Sequence, residues 1–548
     1  MYKDRYLPIG FQSFEEIRKG GYVYVDKTQY VAELVRGAYY VTTLCRPRRF
    51  GKTLFLRTVE AYFEGKKELF KGLYLEKAEE EIAERQNRKP WTPRPVLFIN
   101  SIGALYKSVD DLTSGIDFHL SSYERKYNCV PSDKRDVVSR LDNLIRQMYK
   151  QTGEQVVLLV DDYDIALLET FKNEKLNNEI NRLLCAFYSV TKRSENDLYL
   201  CVLAGLLQIH ERNPFSGFNN AYDISLGNDR FAAICGYTEK EVIDNFMPEL
   251  ETLSAKQNMT VKETVADLNR RYGGFYFEEG VEIFNPNSTM SALQTQEHHT
   301  HWVDWFTLHD AVPQLLKRKY FFPDLESLEF MTDDVLMNSD PSRSGGIDRL
   351  FQSGFLTIIA WEHLPCCSYT LGLVNAEQTY IYLRELFEYF FEEFTQPELL
   401  IDDFLAPLLE ASSEGISLEE PMKELKSYLR RIEYKKMTKQ YAYSQLQIYQ
   451  IALYLIFKVV GTFSKTEVIF VKNERVDAII KAKDHNYIFA FQLQADAQPA
   501  EGIQAVKELE YTQELLKTKT PLHLLGFSYD KKGKGEVEWQ EEILNANE

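Results

Sequence analysis

A β-prone run from Tyr39 to Cys45 enters the basic loop Arg46-Pro47-Arg48-Arg49-Phe50 and reaches Gly51-Lys52-Thr53, after which Leu54 to Phe63 has helical spacing. A strand, a tight loop and a helix in that order constrain the fold more than any other feature of the chain. Backbone N–H groups at the start of a helix face outward and attract an anion. A lysine there reaches β- and γ-phosphates, and a following hydroxyl suits Mg2+. Lys52 and Thr53 hold those positions behind Gly51, with Arg46, Arg48 and Arg49 adding positive charge beside the anion. The pattern G-x-x-x-x-G-K-[ST] fails at its first position, where Arg46 stands for glycine. By themselves the same residues also describe a turn before a capped helix, with the arginines as a solvated loop.

Mg2+ at such a loop needs a carboxylate at the end of a neighbouring strand. Val156-Val157-Leu158-Leu159-Val160-Asp161-Asp162 has that form, four or five apolar residues closed by acid. Asp161 is the expected metal-side acid. Asp162 stands where many ATPases carry a glutamate that polarises the attacking water, and it is one methylene shorter. A base must come within about 2.6–3.2 Å of its water, so binding tolerates this change better than turnover does.

Two further apolar runs, Val96 to Asn100 and Tyr199 to Leu203, alternate with helical segments such as Asn177 to Val190. This alternation predicts an α/β fold with a parallel sheet. The length of 548 residues suggests two to four domains. A formal charge of −18 argues against whole-chain attraction to nucleic acid or an anionic membrane, without excluding a local basic patch. The seven cysteines form no C-x-x-C pair, and Cys366-Cys367 is poor disulfide geometry. With no signal-like apolar core in Met1 to Tyr6, and Ile451 to Val460 the longest apolar stretch, a reducing, cytoplasmic setting without a membrane span is expected.

A polar stretch from Gln294 to His301 marks a soft boundary, and the aromatic-rich residues up to about 395 read as mainly helical. From Ser464 the pattern changes again. Lys465–Val471, Val476–Ala482, Tyr487–Leu493 and His523–Ser528 read as strands, Ala500–Leu516 as one helix, and Lys531 to Gly535 as a turn.

These motifs resemble the bacterial AAA-ATPase-like proteins with a C-terminal PD-(D/E)XK nuclease-like domain. The likeness rests on Leu7-Pro8-Ile9-Gly10-Phe11, Tyr22 to Thr28, Arg46 to Thr53 and Asp161-Asp162-Tyr163-Asp164. Phe215 to Asn220, Cys235-Gly236-Tyr237-Thr238, Tyr272 to Phe277, Asn285-Pro286 and Trp302 extend it. In that family the first glycine of the loop is routinely absent. The resemblance implies a RecA-like P-loop core at 1–293, a helical linking region at 294–395 and a restriction-endonuclease-like α/β module at 396–548. It implies ATP and Mg2+ as cofactors, with Arg48, Arg49, Gly51, Lys52 and Thr53 on the nucleotide, Thr53 and Asp161 on the metal, and Asp162 in the catalytic position.

The chain departs from the family pattern at several places. Asp162 replaces glutamate, Ala204 replaces the small polar residue that senses the γ-phosphate, and Gly273 replaces the aspartate of a Tyr-Asp-Gly string. In the C-terminal module the resemblance puts Glu467 on the first strand and Asp477 on the second. The third should read acid-Phe-Lys and reads Ala490-Phe491-Gln492. Alanine and glutamine cannot do the metal and charge work of that site, so it reads as vestigial, with Glu467 and Asp477 as a retained surface or a structural salt bridge with Arg475. Asp496, Glu501 or Glu508 are the candidates for a relocated acid.

Three functions compete. The first is an ATP-binding weak ATPase or switch fused to an inactive nuclease-like module. The second is a non-hydrolysing nucleotide-gated scaffold for a protein or nucleic acid, and the third an active metal-dependent nuclease with a relocated site. Elsewhere, Glu297-His298-His299-Thr300-His301 reads as a polar linker before it reads as a metal site. Tyr380 to Phe394 reads as helix core. Arg430, Arg431, Lys435 and Lys436 form a basic cluster that reads first as a solvated helix face and second as a nucleic-acid contact.

Overall fold

The computed structural model describes residues 6–37, 39–100, 105–132, 136–206, 221–301, 305–332, 336, 346–363, 367–392, 396–415, 417–463, 467–472, 476–492, 497–518, 520–528 and 537–544. Phe215 to Asn220, Trp302, Cys366, Arg475, Asp496 and Lys531 to Gly535 lie outside these residues. The chain forms two compact units, Met1–Asp304 with Leu328–Asn375, and Trp305–Ser327 with Ala376–Glu548.

In the first unit, β1 (Val41–Cys45), β2 (Val96–Asn100), β3 (Val156–Asp161), β4 (Leu198–Gly205) and β5 (Ala221–Asp223) form a parallel sheet of order β2-β3-β4-β1-β5. The short apolar runs are buried on both faces, as a parallel sheet covered by helices requires. Side chains alternate between two cores. Val157 and Leu159 pack on one face, near helix Lys52–Phe63. Val156, Leu158 and Val160 pack on the other, near helices Val137–Thr152 and Glu174–Tyr188. Strand β4 runs between β1 and β3, so Ala204 aligns with both Leu44 and Asp161.

After the sheet come helices Glu239–Gln257 and Val261–Tyr272, each opened by a capping box, Thr238 with Glu241 and Thr260 with Glu263. Helix Pro286–Thr295 follows, capped by Asn285. Leu7 and Val25 join Phe246, Leu250 and Leu268 in one apolar cluster, which ties the start of the chain to these helices. A two-stranded ribbon, β6 (Phe275–Tyr276) with β7 (Glu282–Ile283), precedes helix Pro286–Thr295.

The stretch 294–395, expected as helical, also contains an antiparallel sheet. It consists of β8 (Leu328–Thr332), β9 (Leu356–Glu362) and β10 (Ser368–Leu373), in the order β8-β10-β9. Thr357, Ile358 and Ile359 are β-branched and favour a pleated strand over a helix. Helices Trp305–Lys317 and Ala376–Phe390 flank this sheet in sequence.

In the second unit, β11 (Glu467–Lys472), β12 (Val476–Lys481) and β13 (Asn486–Phe491) form an antiparallel meander. Strand β14 (Leu522–Phe527) is parallel to β13, and β15 (Trp539–Leu544) closes the edge antiparallel to β14. The connection from β13 to β14 holds two helices, Pro499–Lys507 and Glu510–Leu516, where the sequence suggests one. Leu509 is extended between them and breaks the helical path. Gly526 lets helix Pro499–Lys507 sit directly on the sheet, since a Cβ there would lie 2.0 Å from Pro499 O. The apolar stretch Ile451 to Val460 belongs to helix Gln445–Phe463 and is buried in this unit, except for the half-buried Lys458. Among the described residues no helix is long and apolar enough to cross a membrane.

Candidate nucleotide site

Strand β1 delivers the chain into the loop Arg46–Gly51 beside the C-terminal end of β4, where Arg46 N donates to Gly205 O at 3.3 Å. Gly51 has φ 94° and caps helix Lys52–Phe63 in the left-handed conformation that glycine adopts without strain. Arg49 also has positive φ, 65°. Lys52 is buried and curls back over the loop, its Nζ donating to Arg46 O at 2.9 Å and Pro47 O at 3.1 Å. Both acceptors are uncharged carbonyls, so an incoming phosphate offers the ammonium a stronger, charge-assisted partner.

Arg46 does not face the anion as its charge suggests. Its guanidinium is buried, donating through Nη1 to Cys45 O and Ser225 O and through Nη2 to Phe231 O and Ala232 O. It also lies 4.0 Å over the Phe277 ring. Full desolvation lowers its pKa. The residue in the first-glycine position therefore bolts the loop to the segment 225–232. That segment is itself fastened to β1, because Ser225 Oγ accepts from Cys45 N at 2.7 Å. Gly236 N donates to Phe50 O at 3.1 Å, and a Cβ at Gly236 would fall 2.3 Å from Ile283 Cγ2. The Cys235-Gly236 string thus matters for close packing against the loop. Pro47 is braced from a third direction by Gly354, whose Cβ position lies 3.0 Å from Pro47 Cγ.

Asp161 ends β3, fully buried, and neither carboxylate oxygen accepts a hydrogen bond of ordinary geometry. Burial pushes its pKa up to about 6, with Asp162 adding repulsion, while the Thr53 hydroxyl and the Lys52 ammonium pull the other way. Two orphaned anionic oxygens beside a hydroxyl at a helix start fit a hard divalent cation such as Mg2+. Asp162 turns out of the strand at φ 48° and lines the adjoining cavity. The turn is fixed by Tyr163 N donating to Ala204 O at 3.1 Å. Ala204, between the loop strand and Asp161, brings no side-chain hydrogen-bonding atom to this position.

A cavity of about 440 Å³ is lined by Lys52, Thr53 and Asp162 together with the apolar side chains of Pro8, Phe11 and Met290. This size suits a small-molecule ligand. Arg48 and Arg49 line it too, as does the exposed Glu169, whose pKa desolvation raises and Arg48 lowers.

Lys27 is a cavity residue whose role the sequence did not show. It is buried, donating to Ala233 O at 2.8 Å and to both Glu241 oxygens at 2.7 Å. Burial lowers its pKa and Glu241 opposes this. The pair spans more than 200 residues, and the only sequence hint was the Asp26-Lys27-Thr28 string. Its neighbour Asp26 accepts from Thr28 N at 2.8 Å and Tyr74 N at 2.6 Å, a double cap. At Gly273, Asn269 Oδ1 lies 1.8 Å from the Cβ position, and Gly273 O accepts from Asn375 Nδ2 at 2.7 Å.

In the second unit, Asp477 on β12 is the register partner of Ala490 on β13. Gln492 follows two residues later, its Nε2 3.2 Å from the Cβ position of Gly502. These three are brought together. Glu467 is not: it pairs with Lys481 at the opposite end of the β11–β12 hairpin, in an exposed ion pair of 2.7 Å. Asp477 is fully buried, and the Tyr511 hydroxyl donates to its Oδ2 at 2.5 Å. Glu501 and Glu508 are exposed. Among the described residues no group of three or more His, Cys, Asp or Glu is arranged to hold a metal. In the histidine-rich linker, His298 instead lies 3.2 Å from Asp267, with burial lowering it to about 4, and His299 pairs with Glu297 at 2.8 Å.

Residues 8–215 match the family described as Predicted AAA-ATPase. The N-terminal region is similar to that family. Over 558 aligned residues the chain is 29% identical to an uncharacterized protein in the vnfD 5′ region of Azotobacter chroococcum mcd 1, covering 98% of this chain and 99% of the relative. Among solved structures, the Aeropyrum pernix ORC1 protein in complex with DNA overlaps 66% of this chain and 91% of its own, with TM-score 0.24 and 11% identity. The ORC2 protein of Aeropyrum pernix in ADPNP–ADP complexes overlaps 70% and 97%, with TM-score 0.24 and 8% identity.

Proposed function

We propose that the first unit binds ATP with Mg2+ and works as a slow ATPase or nucleotide switch. One observation carries this reading: the buried carboxylate of Asp161, accepting no hydrogen bond of ordinary geometry, lies close to Thr53 and Lys52, which line a ligand-sized cavity. Lys52 exchanges its two carbonyl partners for phosphate oxygens. Arg48 and Arg49 supply counter-charge, and backbone N–H groups at Gly51, Lys52 and Thr53 cradle the anion. Thr53 and Asp161 would hold Mg2+, which when bound neutralises charge on the phosphates. Asp162 takes the position of the residue that orients water.

Slow turnover is favoured by Asp162 and Ala204. The shorter carboxylate must reach from a left-handed turn, and the β4 position next to Asp161 offers no hydrogen bond to a γ-phosphate. The same two residues support the second reading, a scaffold that binds nucleotide without splitting it. Titration calorimetry with Mg-ATP tests binding, and phosphate release from wild type against Lys52→Ala separates the two readings. Absence of Mg-ATP binding in the wild type would sink both.

For the second unit we propose a PD-(D/E)XK-like fold with a silent site. The support is the meander followed by a parallel strand, with Asp477 opposite Ala490 rather than opposite an acid. Tyr511 meets the carboxylate that a metal would need. Cleavage of DNA or RNA dependent on Mg2+ or Mn2+ and lost in Asp477→Ala would overturn this.

A further inference from the structure

Helices Glu419–Arg430 and Tyr434–Tyr441 are joined by a three-residue turn in the second unit. Between Lys423 and Lys439 the chain carries seven basic and two acidic side chains, a local surplus of five positive charges in a protein of net −18. Their placement follows helical geometry. Lys426 and Arg430 are four apart on the first helix, and Lys435 and Lys439 are four apart on the second. Each pair therefore sits one turn apart on its own helix face, roughly 5–6 Å between Cβ atoms. Arg430, Lys435 and Lys439 are exposed, and Lys426 is partly so. Among the described residues none of these four has an ion-pair partner, whereas Lys423 pairs with Glu420 and Lys436 donates to Glu388 O.

The apolar residues of the same helices point elsewhere. Met422, Leu425, Leu429, Tyr434, Met437 and Tyr441 are all buried. A helix that lies on a bilayer needs apolar side chains to insert beside its lysines, and a protein interface needs an apolar centre. This face offers charge alone. A phosphodiester backbone is the polyanion for which charge alone suffices, through release of its condensed counterions.

We propose that the paired faces bearing Lys426, Arg430, Lys435 and Lys439 are a docking surface for the phosphate backbone of duplex nucleic acid, read without regard to sequence. This surface is independent of the nucleotide site in the first unit. The acidic balance of the rest of the chain opposes binding, so affinity is confined to low and moderate salt.

The test is anisotropy of a labelled 20-base-pair duplex with the full chain across a salt series. Four phosphate contacts give a slope of log K against log salt of about −3.6, so binding weakens roughly 100-fold between about 50 and 200 mM salt. The combined variant Lys426→Gln, Arg430→Gln, Lys435→Gln and Lys439→Gln should abolish most of this slope. Its far-UV spectrum and melting temperature should match wild type, since none of the four side chains is buried. Lys52→Ala should bind the duplex as wild type does, which separates this surface from the nucleotide site. No duplex binding by the wild type, or equal binding by the quadruple variant, would overturn the proposal. So would equal or stronger capture by phosphatidylserine vesicles or polyglutamate than by the duplex.

Discussion

Asp161 and Asp477 occupy comparable places in two unrelated sheets. Each is an acid on a buried strand, with an alanine beside it on the neighbouring strand, Ala204 and Ala490 respectively. The surroundings divide them. Asp161 accepts no hydrogen bond of ordinary geometry, although the Thr53 hydroxyl and the Lys52 ammonium favour its charged form, and it lies behind residues that line a cavity. Asp477 accepts from Tyr511 at 2.5 Å. A buried carboxylate without a donor costs stability unless a cation arrives, whereas a satisfied one is part of the framework. The comparison separates a buried carboxylate that a cation could still satisfy from one already satisfied by a neighbouring hydroxyl.

The strongest way to break this contrast is Lys52→Ala. The variant should lose about 3 kcal/mol of Mg-ATP binding, roughly 100-fold in Kd by titration calorimetry. Nucleotide affinity unchanged by the substitution would place the ligand elsewhere. Next is Tyr511→Phe, which leaves Asp477 buried with one donor fewer. Denaturant unfolding of the second unit should lose about 2 kcal/mol while Mg-ATP affinity stays fixed.

Asp161→Asn sharpens the contrast from the other side. With no ligand, it should raise the stability of the first unit by about 1–2 kcal/mol at neutral pH, because an uncompensated buried charge is removed. The pH dependence has a definite sign. The folded pKa of about 6 lies above the ordinary carboxylate value, so the folded state holds the extra proton. The contribution of Asp161 to stability therefore falls as pH rises from about 4 to about 6, and is level above that. Mg-ATP affinity should move oppositely, rising through pH 6 as the carboxylate ionises, and this rise should be absent in Asp161→Asn. The smallest effect is expected from Ala204→Ser, which supplies a hydroxyl next to Asp161. Phosphate release should rise roughly fivefold, about 1 kcal/mol in the barrier. No change there would favour the non-hydrolysing scaffold.

Much of this was legible in the sequence where the physics is local. The strands of the parallel sheet are continuous apolar runs because both faces are buried, and Gly51-Lys52-Thr53 announces a loop before a helix. Asp161 could be singled out because it ends such a run. What depends on distant partners was hidden. Arg46 looked like a phosphate contact, yet its acceptors lie near residues 225–232. Tyr511 is an ordinary helix residue until β12 brings Asp477 to it. Strand β15, Trp539–Leu544, mixes polar and apolar side chains at a half-exposed edge and gave no apolar run to read.

The anchoring of the loop also carries a consequence for biosynthesis. Arg46 needs acceptors near residue 231, Phe50 needs Gly236, Lys27 needs Glu241, and Pro47 is braced by Gly354. At about 5–20 residues per second, a ribosome needs roughly 15–60 s after making Lys52 to deliver the last of these partners. During that interval the loop exists as covalent chain but lacks its floor and walls. A nascent chain should therefore acquire nucleotide affinity late and abruptly, after most of the first unit has emerged, rather than when the motif itself leaves the tunnel.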